Sequence, residues 1–83
     1  MNQAIQVLDG CNYIDAKKAL KLDIMAAGQM LACYINGLDK ESLIKLYKTK
    51  QFDIEEIIER EIEQDKVNLD GEIWLTAKEV CGY

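Results

Sequence analysis

The sequence predicts a mainly α-helical domain of about four helices that ends in a short β-hairpin, an α+β arrangement. Proline is absent and only five glycines occur in 83 residues, so the usual helix breakers are scarce. Apolar residues recur at helical spacing over most of residues 15–65, which is the main signal for amphipathic helices. Around Asp70-Gly71 the apolar period changes to two, which is typical of a hairpin.

The length predicts one small domain spanning residues 1–83, or the leading part of a longer protein. A chain of this size buries roughly 60–65% of the surface that it exposes when unfolded, so its stability is limited. Because 49% of the residues are apolar, a packed core is favoured over disorder.

The first segment, residues 2–8, has closely spaced apolar residues that suit either a short helix or a strand. Asp9-Gly10 ends it in both cases, because glycine readily adopts the backbone conformation of a turn or a helix stop.

The second segment, residues 15–36, is expected to be helical, with a break near Lys21-Leu22 because Asp23 would otherwise fall on the apolar side. Its polar strip is narrow, so the helix is expected to be central in the fold or to form half of a homodimer interface. The residues assigned to this core or dimer helix are Ile24, Ala27, Leu31 and Ile35.

The third and fourth segments are expected to be amphipathic helices. Asp39 opens the third, where an acidic residue suits the helix dipole. Asp53 and Glu56 have the spacing of a capping box for the fourth, residues 53–65. Glu61 falls within the apolar stripe of this helix, where an unpaired charge is costly. Either a lysine neighbours it, for which Lys45, Lys48 and Lys66 are the candidates, or this part of the stripe faces a partner protein and not the core of the chain.

In the fifth segment, alternating apolar residues on both sides of Asp70-Gly71 predict a hairpin whose return strand is residues 72–76. Thr76 and Glu79 then form a second capping-box pattern, which predicts the start of another helix.

Helices followed by a two-stranded hairpin resemble the element order of a winged helix-turn-helix domain, with residues 67–76 as the wing. Residues 74–80, Trp-Leu-Thr-Ala-Lys-Glu-Val, are also similar to the opening of a MerR- or excisionase-type helix-turn-helix. Either resemblance implies a DNA-binding regulator or a fragment of a DNA-acting protein. Fold analogy alone does not carry function.

The charge distribution argues against reading a DNA groove through residues 53–65. In a winged helix-turn-helix this segment would lie between phosphate strands, yet it carries seven acids and one base, Arg60, in a chain of net charge −5. Nucleic acid is therefore an improbable partner for this segment.

The sequence contains no histidine, and its three cysteines are widely separated. The usual general base at neutral pH is thus missing, and no set of four zinc ligands is available. Phosphate-binding glycine motifs are also absent. These observations predict no catalytic residues, no metal and no cofactor. Unpaired cysteines favour a cytoplasmic protein, and the longest apolar run is too short to span a bilayer.

Two features are candidates for protein binding. One is an acidic helix face, which suits a basic partner surface or is simply solvated; its members are Glu55, Glu56, Glu59 and Glu63. The other is Trp74, which faces outward if Ile73 and Leu75 face the core, and inward if they do not. The sequence therefore favours a non-enzymatic interaction module that acts as adaptor, regulator or inhibitor, with a winged-helix-like DNA-binding regulator as the alternative.

Overall fold

A computed structural model describes residues 5–8 and 10–81 and shows a mixed five-stranded sheet with helices packed on one face. In chain order the elements are β1 (Ile5–Val7), β2 (Asn12–Ile14), β3 (Ala19–Ala26), β4 (Gln29–Asn36), α1 (Lys40–Thr49), α2 (Gln51–Glu63), β5 (Glu72–Thr76) and α3 (Ala77–Cys81). The expectation of a mainly α-helical domain with four or so helices and one C-terminal hairpin is therefore wrong.

The sheet has the strand order β1-β3-β4-β5, with β2 also pairing with β3. Strands β1 and β2 pair antiparallel with opposite ends of β3, so together they form one interrupted edge. Strand β4 is antiparallel to β3, and β5 is parallel to β4. A parallel neighbour requires a crossover connection, and α1 and α2 supply it.

The second segment, predicted as a helix, is instead the hairpin of β3 and β4. In β3, Leu20, Leu22 and Ile24 are completely buried, and the residues between them lie on the other face. This period of two is the signature of a strand. The apolar positions also fit a helical spacing approximately, so their periodicity alone does not distinguish a helix from a strand here.

The proposed core or dimer helix made of Ile24, Ala27, Leu31 and Ile35 does not exist. Ile24 and Ile35 are buried on β3 and β4, and Leu31 is partly buried on β4. Ala27 is exposed in the turn between the two strands, with a positive φ of 51°. The two strands thus share a core face, but Ala27 has no part in it.

The prediction of a C-terminal hairpin is also wrong, although its return strand, residues 72–76, is present. Residues 67–71 form no strand, and the Gly71 N–H donates to the Asn68 carbonyl at 3.0 Å to close a turn. The Asn68 side chain accepts hydrogen bonds from the N–H groups of Asp70 and Glu72, at 3.0 and 2.9 Å. The strand at residues 72–76 pairs with β4 through long-range parallel contacts, so no wing is formed. The winged-helix element order is therefore absent from the described residues.

The helical predictions for the third and fourth segments are confirmed. The Asp39 carboxylate caps α1 by accepting from the Ser42 N–H at 3.3 Å. Helix α2 begins at Gln51, before Asp53, and its N-cap residue Lys50 makes no side-chain capping bond; the capping box expected at Asp53 and Glu56 is thus wrong.

The helix start at Thr76 is confirmed as well. Glu79 accepts from the Thr76 N–H at 2.9 Å, and Thr76 accepts from the Glu79 N–H at 3.1 Å. These reciprocal bonds form the expected capping box. Thr76 is thus both the last residue of β5 and the N-cap of α3, which begins at Ala77.

The core lies between the sheet and the helices. Leu43 and Leu46 of α1, Ile54 and Ile58 of α2 and Val80 of α3 pack onto one sheet face. Of the first segment, Ile5–Val7 is a strand and residues 2–4 lie outside the described part of the chain. No helix within residues 5–8 and 10–81 is long and apolar enough to cross a membrane.

Candidate functional site

The candidate site is the sheet face opposite the helices, called the open face here. Because side chains alternate along a strand, every second residue of β3, β4 and the edge strand β5 projects from it. The residues are Lys21, Asp23 and Met25 on β3, Met30, Ala32 and Tyr34 on β4, and Glu72 and Trp74 on β5.

An aromatic pair lies on this face. Tyr34 and Trp74 are register partners on the parallel strands β4 and β5. Their ring centroids are 4.6 Å apart with 20° between the planes, a stacked arrangement that contributes about 0.5–1.5 kcal/mol beyond the buried area. Tyr34 is 6% exposed and Trp74 is 39% exposed. Of the two orientations that the sequence left open, Trp74 has the outward one.

Two charged side chains hold the aromatic pair in place. The Glu72 carboxylate accepts from Trp74 Nε1 at 3.2 Å, and the Lys17 Nζ lies 5.3 Å from the Tyr34 centroid and 5.7 Å from that of Trp74. These distances are within the range of cation–π attraction. The hydrogen bond from Trp74, followed by that from Asn68 and the positive charges of Lys17 and Lys21, lowers the pKa of Glu72.

Lys17 reaches the rings because of the tight turn between β2 and β3. Its N–H donates to the Ile14 carbonyl at 3.1 Å, and the N–H of Lys18 donates to the Asp15 carbonyl at 3.2 Å. Lys18 has a positive φ of 50°, which reverses the chain within four residues.

The rest of the open face combines a compensated charge pair with an apolar end. The Lys21 Nζ lies 3.8 Å from an Asp23 carboxylate oxygen. Met25 and Met30 are register partners beside the β3–β4 turn and are 37% and 56% exposed. Ala32 lies between Asp23 and Glu72 in the strand register.

The acidic residues predicted to bind a partner lie in the other layer of the molecule. Glu56, Glu59 and Glu63 are exposed on α2, and Glu55 is half-buried. Helix α2 packs its Ile54 and Ile58 against the sheet, so its acidic face and Trp74 point to opposite sides. One flat partner surface cannot contact both.

Glu61 has the cationic neighbour that its position requires. Its carboxylate lies 3.9 Å from Lys66 Nζ, and the Glu61 side chain is 21% exposed. Of the three lysines proposed, Lys66 is therefore the partner.

The cysteines show no arrangement for nucleophilic catalysis. Burial, with a smaller contribution from the Glu61 charge, raises the pKa of Cys33 to about 12. Burial also raises the pKa of Cys11, against a weaker opposing effect of Lys48. A raised pKa removes the thiolate, which is the reactive form. Cys81 is exposed.

An apolar groove of about 290 Å³ lies at the carboxyl ends of β4 and β5, where open α/β sheets often bind ligands. It is lined by Gly37, Leu38, Thr76, Ala77, Lys78 and Cys81. No carboxylate lines it, so it offers no acid–base pair. Within the described residues, no cluster of three acidic or cysteine side chains is arranged to hold a metal ion.

Comparisons with known proteins define the fold but assign no activity. No family model matches the chain, and no curated protein matches it. Among solved structures, the chain is similar to a protein of unknown function from the DUF1488 family of Shewanella loihica PV-4, determined at 1.60 Å resolution. The two share 26% sequence identity and a TM-score of 0.77, over 90% of this chain and 94% of that one.

Sequence reasoning found Trp74 but missed its surroundings. Neither Tyr34 nor Lys17 is among the binding residues that the sequence predicts. The alternation Lys21-Leu22-Asp23-Ile24-Met25 was the available signal, because it places two charges on one face of a strand. The pairing of Tyr34 with Trp74 has no local signal, since 40 residues separate them.

Proposed function

We propose that the protein is a non-enzymatic interaction module that binds another protein through the open face and acts as an adaptor, regulator or inhibitor. The observation that carries this proposal is the half-exposed Trp74, stacked on Tyr34, on a sheet face that no described helix covers. Tryptophan is strongly enriched among the residues that dominate interface energies.

The Trp74 ring is suited to act as an anchor because it is already held in one orientation. Stacking on Tyr34 and the hydrogen bond to Glu72 restrict its rotation before any partner binds. A pre-organised side chain loses less conformational entropy on binding than a mobile one. The exposed Met25 and Met30 extend the apolar contact, since methionine adapts to partner surfaces of different shape.

The proposal of a binding rather than a catalytic role also follows from the chemistry of the side chains. The chain contains no histidine, and the pKa of buried Cys33 lies near 12. The described residues thus offer no obvious group to transfer protons or attack a substrate near pH 7. Three unpaired thiols fit a cytoplasmic location.

The acidic face of α2 is proposed as a second, separate contact for a partner with a basic surface. Six acids and one base occur in α2, so this side attracts cations over long range and raises association rates. Charge reversal of Glu59 and Glu63 should slow association with such a partner and reduce its dependence on salt. An unchanged association rate would contradict this second contact.

Site-specific photo-crosslinking in native cells tests the open face. A photo-reactive residue in place of Met30, which is 56% exposed on that face, should give a discrete protein adduct. Adding Trp74→Ala should abolish the adduct. The matched control carries the same probe at exposed Lys45 on α1 and should give no such adduct. Failure of the Met30 probe to crosslink to any protein would overturn the proposal.

A further inference from the structure

We propose that the occupant of the open face is a second copy of this chain, so that the protein forms a homodimer with two sheets packed face to face. This inference rests on the proposed function, because it names the protein that docks on the same surface. It differs from the helix-mediated dimer expected from the sequence, because residues 19–36 contribute strands.

The distribution of charge favours self-association through this face. The net charge of the chain is −5, so two copies repel each other on average. Much of the negative charge lies on α2, which carries six acids and one base on the opposite side. On the open face, Lys17 and Lys21 balance Asp23 and Glu72, so two copies can approach there without net repulsion.

The open face is also complementary to itself. Strand register places Lys21, Tyr34 and Trp74 in one row across the sheet. The next row contains Asp23, Ala32 and Glu72. The first row is cationic and aromatic, whereas the second is acidic with a small residue at its centre. A two-fold interface requires such a surface to fit its own copy.

A two-fold axis that runs across the strands between these rows brings unlike groups together. It places Lys21 opposite Asp23 of the second copy, and Trp74 opposite Glu72 of the second copy. Tyr34 lies opposite Ala32, where the small side chain leaves room for a ring. An axis parallel to the strands along β4 would instead place Asp23 opposite Glu72, and these like charges would repel. The charges thus select the first axis.

The edge of β5 is a poorer site for self-association than the face. Ala32 donates to the Gly71 carbonyl at 3.0 Å, so by alternation the backbone groups of residues 72, 74 and 76 point away from β4. The Glu72 N–H and C=O bond to Asn68, and the Thr76 N–H bonds to Glu79. These local bonds occupy three of the six backbone groups that an added strand would need.

The size of the face predicts a dimer of moderate affinity. Four columns of strands, with up to eight residues each, cover roughly 20 by 25 Å. The product, about 500 Å² of flat area, is below the roughly 800 Å² that a standard interface buries on each partner and is typical of weak, transient complexes. We expect a dissociation constant on the order of 10–100 µM, comparable to transient complexes.

The charges on the face favour this occupant over single-stranded nucleic acid. Stacking platforms for nucleic acid combine aromatic rings with a groove of unpaired cations. Here Lys21 is paired with Asp23, and Glu72 lies directly against Trp74. A polyanion would meet two carboxylates beside the rings.

Sedimentation equilibrium combined with fluorescence tests the dimer. Trp74 is the only tryptophan, so its emission should shift to shorter wavelength as protein concentration rises through the dissociation constant. The average mass should rise to twice the monomer mass over the same range. A monomer with constant emission up to about 1 mM, well above the expected dissociation constant, would overturn the inference.

Charge reversal identifies the face and the axis. Lys21→Glu and Asp23→Lys should each weaken self-association by roughly 10-fold or more, because each places like charges opposite one another. An equal mixture of the two variants should recover affinity to within about 3-fold of the original protein, because Glu at 21 then faces Lys at 23. Glu56→Lys and Lys45→Glu, on the helical layer, are matched controls and should leave the affinity unchanged.

The outcomes separate this inference from the proposed function. Recovery in the mixture supports the face-to-face homodimer. If the variants weaken association but the mixture does not recover, the proposed axis is wrong and the inference fails. If the chain is monomeric while the probe at Met30 crosslinks to a different protein, the homodimer inference fails. The proposed function then still holds, because the open face binds another protein. If neither occurs, both proposals fail.

Discussion

Burial changes the chemistry of Cys33 more than that of any other ionisable side chain whose pKa departs clearly from its ordinary value. The residue is completely buried on β4, and burial followed by the nearby Glu61 charge raises its pKa from 9.0 to about 12. Desolvation disfavours the thiolate because the low-polarity interior cannot replace water around a charge. Cys33 thus acts as a small apolar residue in the core.

This raised pKa predicts a specific dependence of stability on pH. Above pH 9 the unfolded chain loses the Cys33 proton while the folded protein retains it, so folding becomes less favourable as pH rises toward 12. Relative to Cys33→Ala, the free energy of unfolding should fall by roughly 1 kcal/mol between about pH 8 and pH 10. Urea unfolding of both proteins measures it.

The comparison with Cys33→Ala cancels the titration of the other groups, because these are the same in both proteins. Equal pH dependence in the two proteins would contradict a protonated Cys33 in the folded state. Alkylation offers an independent check, since a reagent should label exposed Cys81 and leave Cys33 unmodified until the protein unfolds.

At the scale of single elements, the β3–β4 turn explains how the hairpin escaped sequence analysis. Ala27 and Gly28 both have positive φ, 51° and 81°, as the central residues of a type I′ turn do. The usual signal for this turn is Asn-Gly or Asp-Gly, and alanine is strained in the left-handed region. Ala27-Gly28 therefore looks like helix interior rather than a turn.

Relieving this strain should stabilise the hairpin. We expect Ala27→Asn to raise the free energy of unfolding by about 0.5–1 kcal/mol, because asparagine tolerates the left-handed conformation better than alanine. Gly28→Ala is the control with the opposite expected sign. It should lower the free energy of unfolding by about 1 kcal/mol, because alanine is strained in the left-handed conformation. A methyl group there would meet no atom within 4 Å. Thermal or urea unfolding that ranks the variants otherwise would contradict the assigned turn.

The junction between β5 and α3 depends on the capping box of Thr76 and Glu79. Thr76→Ala removes the acceptor for the Glu79 N–H and should lower the free energy of unfolding by about 1 kcal/mol. Thr76→Ser keeps the hydroxyl and should retain most of this stability. Chemical denaturation distinguishes the variants, and an alanine variant as stable as the original protein would show that the box contributes nothing.

At the scale of the whole molecule, the acidic face and the aromatic pair lie on opposite layers, and the helical layer also exposes an apolar side chain, because Phe52 of α2 is 85% exposed. The helical layer carries the acidic face of α2, and the open face carries Trp74, Met25 and Met30 with balanced charges. The two surfaces are therefore available to different partners at the same time. A homodimer through the open face would leave two acidic surfaces pointing outward.

This separation predicts that the protein does not bind nucleic acid. Fluorescence polarisation with random duplex DNA, and with a single strand of the same length, should show no binding at low salt, where phosphate attraction is strongest. Binding in the micromolar range that weakens with salt would favour the DNA-binding alternative. Loss of single-strand binding in Trp74→Ala would assign it to the open face.

The pattern of residues along the chain is enough to predict the amphipathic helices after residue 39, the start of α3, and the alternation that directs Trp74 away from Ile73 and Leu75. These properties depend on residue types and on spacings of a few positions. Local periodicity and capping chemistry are sufficient to predict them.

Contacts between distant segments determine that residues 19–26 and 29–36 are strands, that β5 pairs with β4 in parallel, and that Tyr34 stacks on Trp74. The apolar positions of residues 19–36 suit a helix and a buried strand almost equally, and pairing over the α1–α2 crossover selects the strand. The free energy that favours the strand over the helix comes from contacts between distant segments, which a short window of sequence does not contain. The open face exists for the same reason, because it forms only when three strands come together.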